Sequence, residues 1–247
     1  MELYFFLERA SPLHRLHPLT KILLLAGNCA LALLFQRPSL LLAAAGFVLL
    51  QMALGRSLGN LRRIRVFLLL ATVFGVLLWT LFGRGETHLA LWMTHEGLRA
   101  GIVAALRIDV FLLAGTAFLS TTRNEEIVQG LLLLGLPYPL CFALSTALRL
   151  APTFVGTGWA VRDAQKARGL DPDSGSLAAR LRKNVPLLVP TFLTTIRMTG
   201  HLAMSLEAKG FGLHKRRTSL LEARFGARDA LALALLAAVI AAGVFVR

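Results

Sequence analysis

A chain of 247 residues that is 56% hydrophobic and only 16% charged, with a mean hydropathy of +0.66, falls well short of the roughly 25% charged composition of a soluble domain. A water-soluble globular enzyme is thereby excluded, and an all-α integral membrane protein is indicated. The formal net charge of +14 would suggest nucleic acid in a soluble chain, but here it suits cytoplasmic loops that face anionic lipid or an acidic partner.

Met1–Ala10 carries two glutamates and lacks the apolar core of a cleavable signal. Five stretches then have the length and apolarity of bilayer spans or near-spans, which need about 17–25 residues: Leu19–Phe35, Ser39–Leu54, Val66–Phe82, Gly97–Leu119 and Arg228–Val246. The second is the shortest. Arg9, Arg15 and Lys21 precede the first stretch. Arg56, Arg62, Arg63 and Arg65 crowd the turn after the second, whereas Arg37 stands alone in the turn before it. Arg84 and Arg99 are balanced by Glu86 and Glu96 in the third turn. Positive-inside bias places the amino terminus and the second turn in the cytoplasm, so five spans would leave Arg247 outside.

The fourth stretch contains Arg107 and Asp109, ionisable groups that are costly at such depth and therefore face protein or water. Two positions apart on a helix, they point about 200° from each other and need different partners. Scaffold packing or contact with a partner membrane subunit is the expected role. Gly97 and Gly101 form a small-xxx-small pattern that permits close helix packing. Thr122 and Glu125 have capping-box spacing, predicting a short helix to Leu136.

Three sections follow: spans in 1–119, a largely cytoplasmic region in 120–227, and a final span in 228–247. The middle section concentrates the charge, with thirteen bases against five acids from Arg162 to Arg228. Its apolar run Leu131–Trp159 is interrupted by Pro137, Pro139 and Pro152, which reads as partly embedded and not as a clean span. Leu144, Leu148, Ala151, Val155 and Trp159 recur at helical spacing, predicting one amphipathic helix from Tyr138 to Gly169. Leu193, Ile196, Gly200, Ala203 and Leu206 predict another from Pro190 to Gly210. The first ends in Ala167-Arg168-Gly169 and the second, forty-one positions later, in Ala208-Lys209-Gly210. A cation at a helix C-terminus has an ordinary account, since it complements the last carbonyls and the dipole. Its repetition favours a function.

Other chemistry is thin. His14 and His17 lack companions at metal-ligand spacing, Cys29 and Cys141 suggest neither a disulfide framework nor a redox pair, "GTGWAV" lacks the third glycine of a dinucleotide fingerprint, and no phosphate-loop motif occurs. No catalytic, cofactor or metal site is expected in this chain. The rival readings are a membrane enzyme, disfavoured by the absence of H-E-x-x-H, and a lipid-binding assembly protein whose basic helices touch headgroups.

The paired Ala-base-Gly endings resemble the coupling helices of the transmembrane T component of energy-coupling factor (ECF) transporters, the EcfT or CbiQ type. "SPLHRLHPLTKILL" resembles that family's Asp-Pro-Arg-Thr-Lys-Leu segment, and "STTRNEEIVQGLLLLGLP" its Thr-Thr-x-Pro-Glu-Glu segment. His17 replaces the usual aspartate, Asn124 a common proline, and Lys209 the second arginine, which keeps charge but loses the planar fork. The resemblance implies a non-catalytic, multi-pass scaffold in a prokaryotic plasma membrane, with Ala167, Arg168, Gly169, Ala208, Lys209 and Gly210 coupling to two ATPase subunits. It also implies ATP and Mg in those partners, and a separate membrane subunit that captures a vitamin or a cobalt or nickel ion.

Overall fold

The computed structural model describes residues 11, 13–82, 88–90, 93–170, 174–213 and 225–245. Eight α-helices account for most of them: α1 Pro18–Leu34, α2 Pro38–Leu54, α3 Leu61–Phe82, α4 His95–Thr121, α5 Asn124–Leu133, α6 Tyr138–Ala167, α7 Leu177–Ala208 and α8 Ala227–Phe245. Among the described residues the one strand pair is a small antiparallel hairpin, β1 His88–Ala90 with β2 Met93–Thr94, in the connection between α3 and α4. The chain divides into two compact units, Met1–Pro137 with Ala223–Arg247, and Tyr138–Glu222. The first unit therefore includes α5, which the sequence reading grouped with 120–227.

The first unit is built around α1, α2 and α4. Proline at the first position starts both α1 and α2, where its missing N–H costs nothing. Leu31, Leu41, Val48, Met52 and Val110 form the fully buried centre. Helix α3 lies antiparallel to α4, and small residues bring their backbones together. A Cβ on Gly101 would stand 3.1 Å from Val76 Cα, and one on Gly75 would stand 3.3 Å from Ala105 Cα. Gly101 of the small-xxx-small pattern therefore packs against α3. The outward face of α3 is apolar, with Val66, Phe67, Leu70, Val73, Phe74 and Leu77 all exposed, as a lipid-facing surface should be.

Helix α8 returns beside α1 and runs parallel to it. The His17 backbone N–H, at the start of α1, donates to Asp229 Oδ1 at the start of α8 (2.7 Å). Gly27 lies against Leu236 midway, and Gly243 against Phe35 at the far ends. Helices α1, α3 and α8 thus run one way, and α2 and α4 the other. Arg15, Lys21, Arg56, Arg62, Arg63, Arg65, Arg123 and Arg228 collect at the end where α1 begins, whereas Arg37 and Arg99 stand toward the opposite end. Arg9, Arg84 and Arg247 lie outside the described residues.

By length and composition α4, α6 and α8 are long and apolar enough to cross a membrane, and α1 and α2 are shorter apolar helices of 17 residues each. Helix α6 is continuous through Pro152, as the helical spacing from Tyr138 to Gly169 predicts, and it is among the helices long and apolar enough to span, where Leu131–Trp159 was read as only partly embedded. The second unit consists of α6 and α7. Helix α7 is 32 residues long and starts well before Pro190, because Ser176 caps it by accepting from the Ala179 N–H and both Pro186 and Pro190 are carried within it. Proline removes one N–H and displaces one carbonyl, and on a helix with no buried residue water can satisfy what is freed. The two helices meet where Phe211, just past α7, packs on Phe142 (ring centroids 4.3 Å apart) and Tyr138 (6.2 Å) in the first turns of α6.

Candidate functional site

Both Ala-base-Gly endings adopt the same backbone motif. At the end of α6 the Gly169 N–H donates to Lys166 O (3.0 Å) and the Leu170 N–H to Gln165 O (3.0 Å). At the end of α7 the Gly210 N–H donates to Glu207 O (2.9 Å) and the Phe211 N–H to Leu206 O (2.9 Å). These are the paired bonds of a Schellman cap. Gly169 and Gly210 take φ of +88° and +73°, the left-handed conformation that requires glycine. Ala167 and Ala208 are the last helical residues, which leaves Arg168 and Lys209 at the cap position.

The caps are closed by backbone alone, so the basic side chains are not needed to satisfy the carbonyls. Both are exposed. Among the described residues neither Arg168 nor Lys209 makes a side-chain hydrogen bond or ion pair; favourable interaction with the helix dipole, about 0.3–1 kcal/mol for an exposed charge, is what remains of the ordinary account. Because Phe211 anchors the end of α7 to Phe142, the tip at Lys209 sits near the beginning of α6, while Arg168 follows its last residue. The two tips therefore stand up to about 40 Å apart at 1.5 Å per residue. Along α7, Leu177, Leu181, Val185, Leu188, Phe192 and Ile196 form an exposed apolar stripe that extends the expected one by several turns toward the amino end.

The two motif-like segments of the first unit prove to be a single constellation. Lys21 Nζ, on a residue only 4% exposed, donates to Glu126 Oε2 (2.7 Å), Thr121 O (2.9 Å) and His14 O (3.0 Å). It thereby ties the turn before α1 to the end of α4 and the start of α5. His17 caps α1 by accepting from the Leu19 N–H at Nδ1 (3.2 Å), so histidine still serves where aspartate is usual. The expected capping box is displaced by one residue. Glu126, not Glu125, reaches back to an amide, that of Arg123 (3.0 Å), while Thr122 Oγ1 is buried without a hydrogen-bond partner. Sequence reasoning treated Lys21 as a topology signal and as part of the first family-like segment, and assigned it no partner. An ammonium in the first turn of an apolar helix, with a glutamate in the other motif, was the clue to its partner.

Arg107 and Asp109 have the separate partners their spacing requires. The Arg107 guanidinium donates to Ala32 O (2.9 Å) and Phe35 O (3.2 Å) at the end of α1, and Asp109 Oδ2 accepts from Thr72 on α3 (2.8 Å). Both are engaged within the scaffold. Lys215, Arg216, Arg217 and Arg224 of the basic section lie outside the described residues.

Residues 9–220 match the family model described as cobalt transport protein, of the CbiQ type. The chain belongs to the family of ECF-transporter T components. It is 35% identical over 223 residues to the energy-coupling factor transporter transmembrane protein EcfT of Heliobacterium modesticaldum, covering 85% of this chain and 84% of that protein. Identity to the EcfT of Thermosediminibacter oceani is 30% over 94% of this chain and 90% of the relative. A putative ABC transporter ATP-binding protein of Bifidobacterium longum is 28% identical over 89% of this chain, which spans only 30% of that longer protein. This T component is thus a multi-pass membrane protein and the transmembrane scaffold of an ECF-type transporter.

Proposed function

We propose that this T component relays ATP-driven motion from two ATPase subunits to a separate membrane subunit that captures a micronutrient, either a vitamin or a cobalt or nickel ion. The observation that carries this reading is the pair of identically capped helix ends, each presenting an uncommitted cation and held up to about 40 Å apart. Each cation inserts into an acidic groove of one ATPase, where a charge-assisted hydrogen bond contributes about 1.5–3 kcal/mol, and two anchors on one chain add avidity. The apolar stripe of α7 is the surface offered to membrane partners. The Bifidobacterium relative, in which a stretch like this chain is part of a protein named as ATP-binding, supports an ATPase partner. ATP and Mg belong to those partners, and this chain is non-catalytic. By the positive-inside rule the basic end of the first unit faces the cytoplasm, in a prokaryotic plasma membrane.

Co-purification of the ATPases with a panel of variants tests this. Arg168→Glu should lower recovery strongly, because it substitutes repulsion and a desolvated carboxylate for the cation. Lys209→Glu should act in the same direction, Lys209→Arg should be tolerated, and the double alanine variant should be worse than either single. Equal, small losses for Arg168→Ala, Lys209→Ala and Arg182→Ala would favour headgroup contact and refute the coupling role.

A further inference from the structure

The first unit contains a groove of about 240 Å³ between the start of α1, the end of α2 and the start of α8. Its wall is almost wholly apolar, with Leu24, Phe47, Leu50, Leu231 and Leu235 among the lining residues. Among the described residues the polar side chains in that lining are Gln51 and Arg228. Gln51 is already committed, since its Oε1 accepts from Asn28 Nδ2 (2.9 Å). Arg228 is exposed and, among the described residues, makes no hydrogen bond or ion pair. The neighbouring Asp229 carboxylate is taken up by the His17 and Gly226 amides (2.7 and 2.9 Å).

Arg228, Leu231, Ala232 and Leu235 recur at i, i+3, i+4 and i+7, one face of a helix. The guanidinium consequently marks the groove's polar mouth at the basic end of the unit, and the leucines descend about 10 Å along α8 from it. An occupant must be apolar along that length and anionic at the mouth. The space is smaller than the roughly 300–1,000 Å³ of sites for drug-sized molecules. An alkyl chain does enter.

We propose that this groove binds one anionic phospholipid, with an acyl chain along Leu24, Phe47 and Leu235 and its phosphate on Arg228. The proposal does not depend on the coupling role of Arg168 and Lys209. Native mass spectrometry of the full chain in detergent, titrated with phosphatidylglycerol and phosphatidylethanolamine of identical acyl chains, tests it. Phosphatidylglycerol should be retained about tenfold better. Arg228→Gln should abolish that preference without changing the thermal midpoint. Arg62→Gln, a base at the same end but off the groove, should leave it intact. Leu235→Trp, which fills the groove, should lower retention of both lipids. Equal retention of the two lipids by the unmodified chain, or equal losses from Arg228→Gln and Arg62→Gln, would overturn the proposal.

Discussion

Replacing Lys21 with methionine should cost this protein more stability than replacing any exposed base. The ammonium is buried and satisfies three oxygens at once, those of Glu126, Thr121 and His14. Methionine fills the stem's volume but leaves the two carbonyls without that donor and the Glu126 carboxylate without its cation. Breaking a buried pair typically costs 3–5 kcal/mol. The Glu126 side chain is 25% exposed and regains some hydration, which places the expectation at the low end, about 3 kcal/mol. At about 2–4 °C per kcal/mol for a chain of this size, the thermal midpoint in detergent, followed by tryptophan fluorescence, should fall by about 6–12 °C. The double variant Lys21→Met/Glu126→Gln should be less damaging than the sum of the singles by about 1 kcal/mol or more, because both act on one bond. A Lys21→Met midpoint within 2 °C of the unmodified protein, a threshold of under about 1 kcal/mol, or strict additivity in the double variant, would refute the claim that this knot holds α1, α4 and α5 together.

Arg107 and Asp109 should respond in opposite ways. Arg107→Met removes a cation from two carbonyls at the end of α1 and should destabilise by about 2–3 kcal/mol, whereas Asp109→Asn should be neutral or stabilising, because Asp109 Oδ1 is buried without a hydrogen-bond partner and a neutral amide is cheaper to desolvate there. The same thermal assay checks both. The parallel packing of α1 and α8 requires that, where both cross the bilayer, they cross in the same direction. With the basic end inside, a cysteine placed beside Arg247 should be labelled from outside intact cells. Labelling only after permeabilisation would refute that orientation.

Much of the helical inventory was legible because its signals are local. The apolar runs and the prolines at 18 and 38 mark α1 and α2 to within a residue or so, and the glycine at 169 stops α6 where the sequence reading ended it. Those features act through φ, backbone N–H supply and helical periodicity, all properties of neighbouring residues. Helix α7 was legible only in part. Its prolines look like breakers, yet an exposed helix capped by Ser176 carries them.

Periodicity records which face of a helix is apolar but not which neighbour covers it, and here that was decided by packing. Only the tertiary structure brings Lys21 to Glu126 across 105 positions, sets Arg107 on the carbonyls of α1, lays α8 parallel to α1 through Asp229, and puts the tips at Arg168 and Lys209 toward opposite ends of α6. A buried ammonium or guanidinium must find oxygens in low dielectric. The sequence determined that Lys21 and Arg107 would need such partners, and the long-range packing of α1, α4, α5 and α8 determined which oxygens they found.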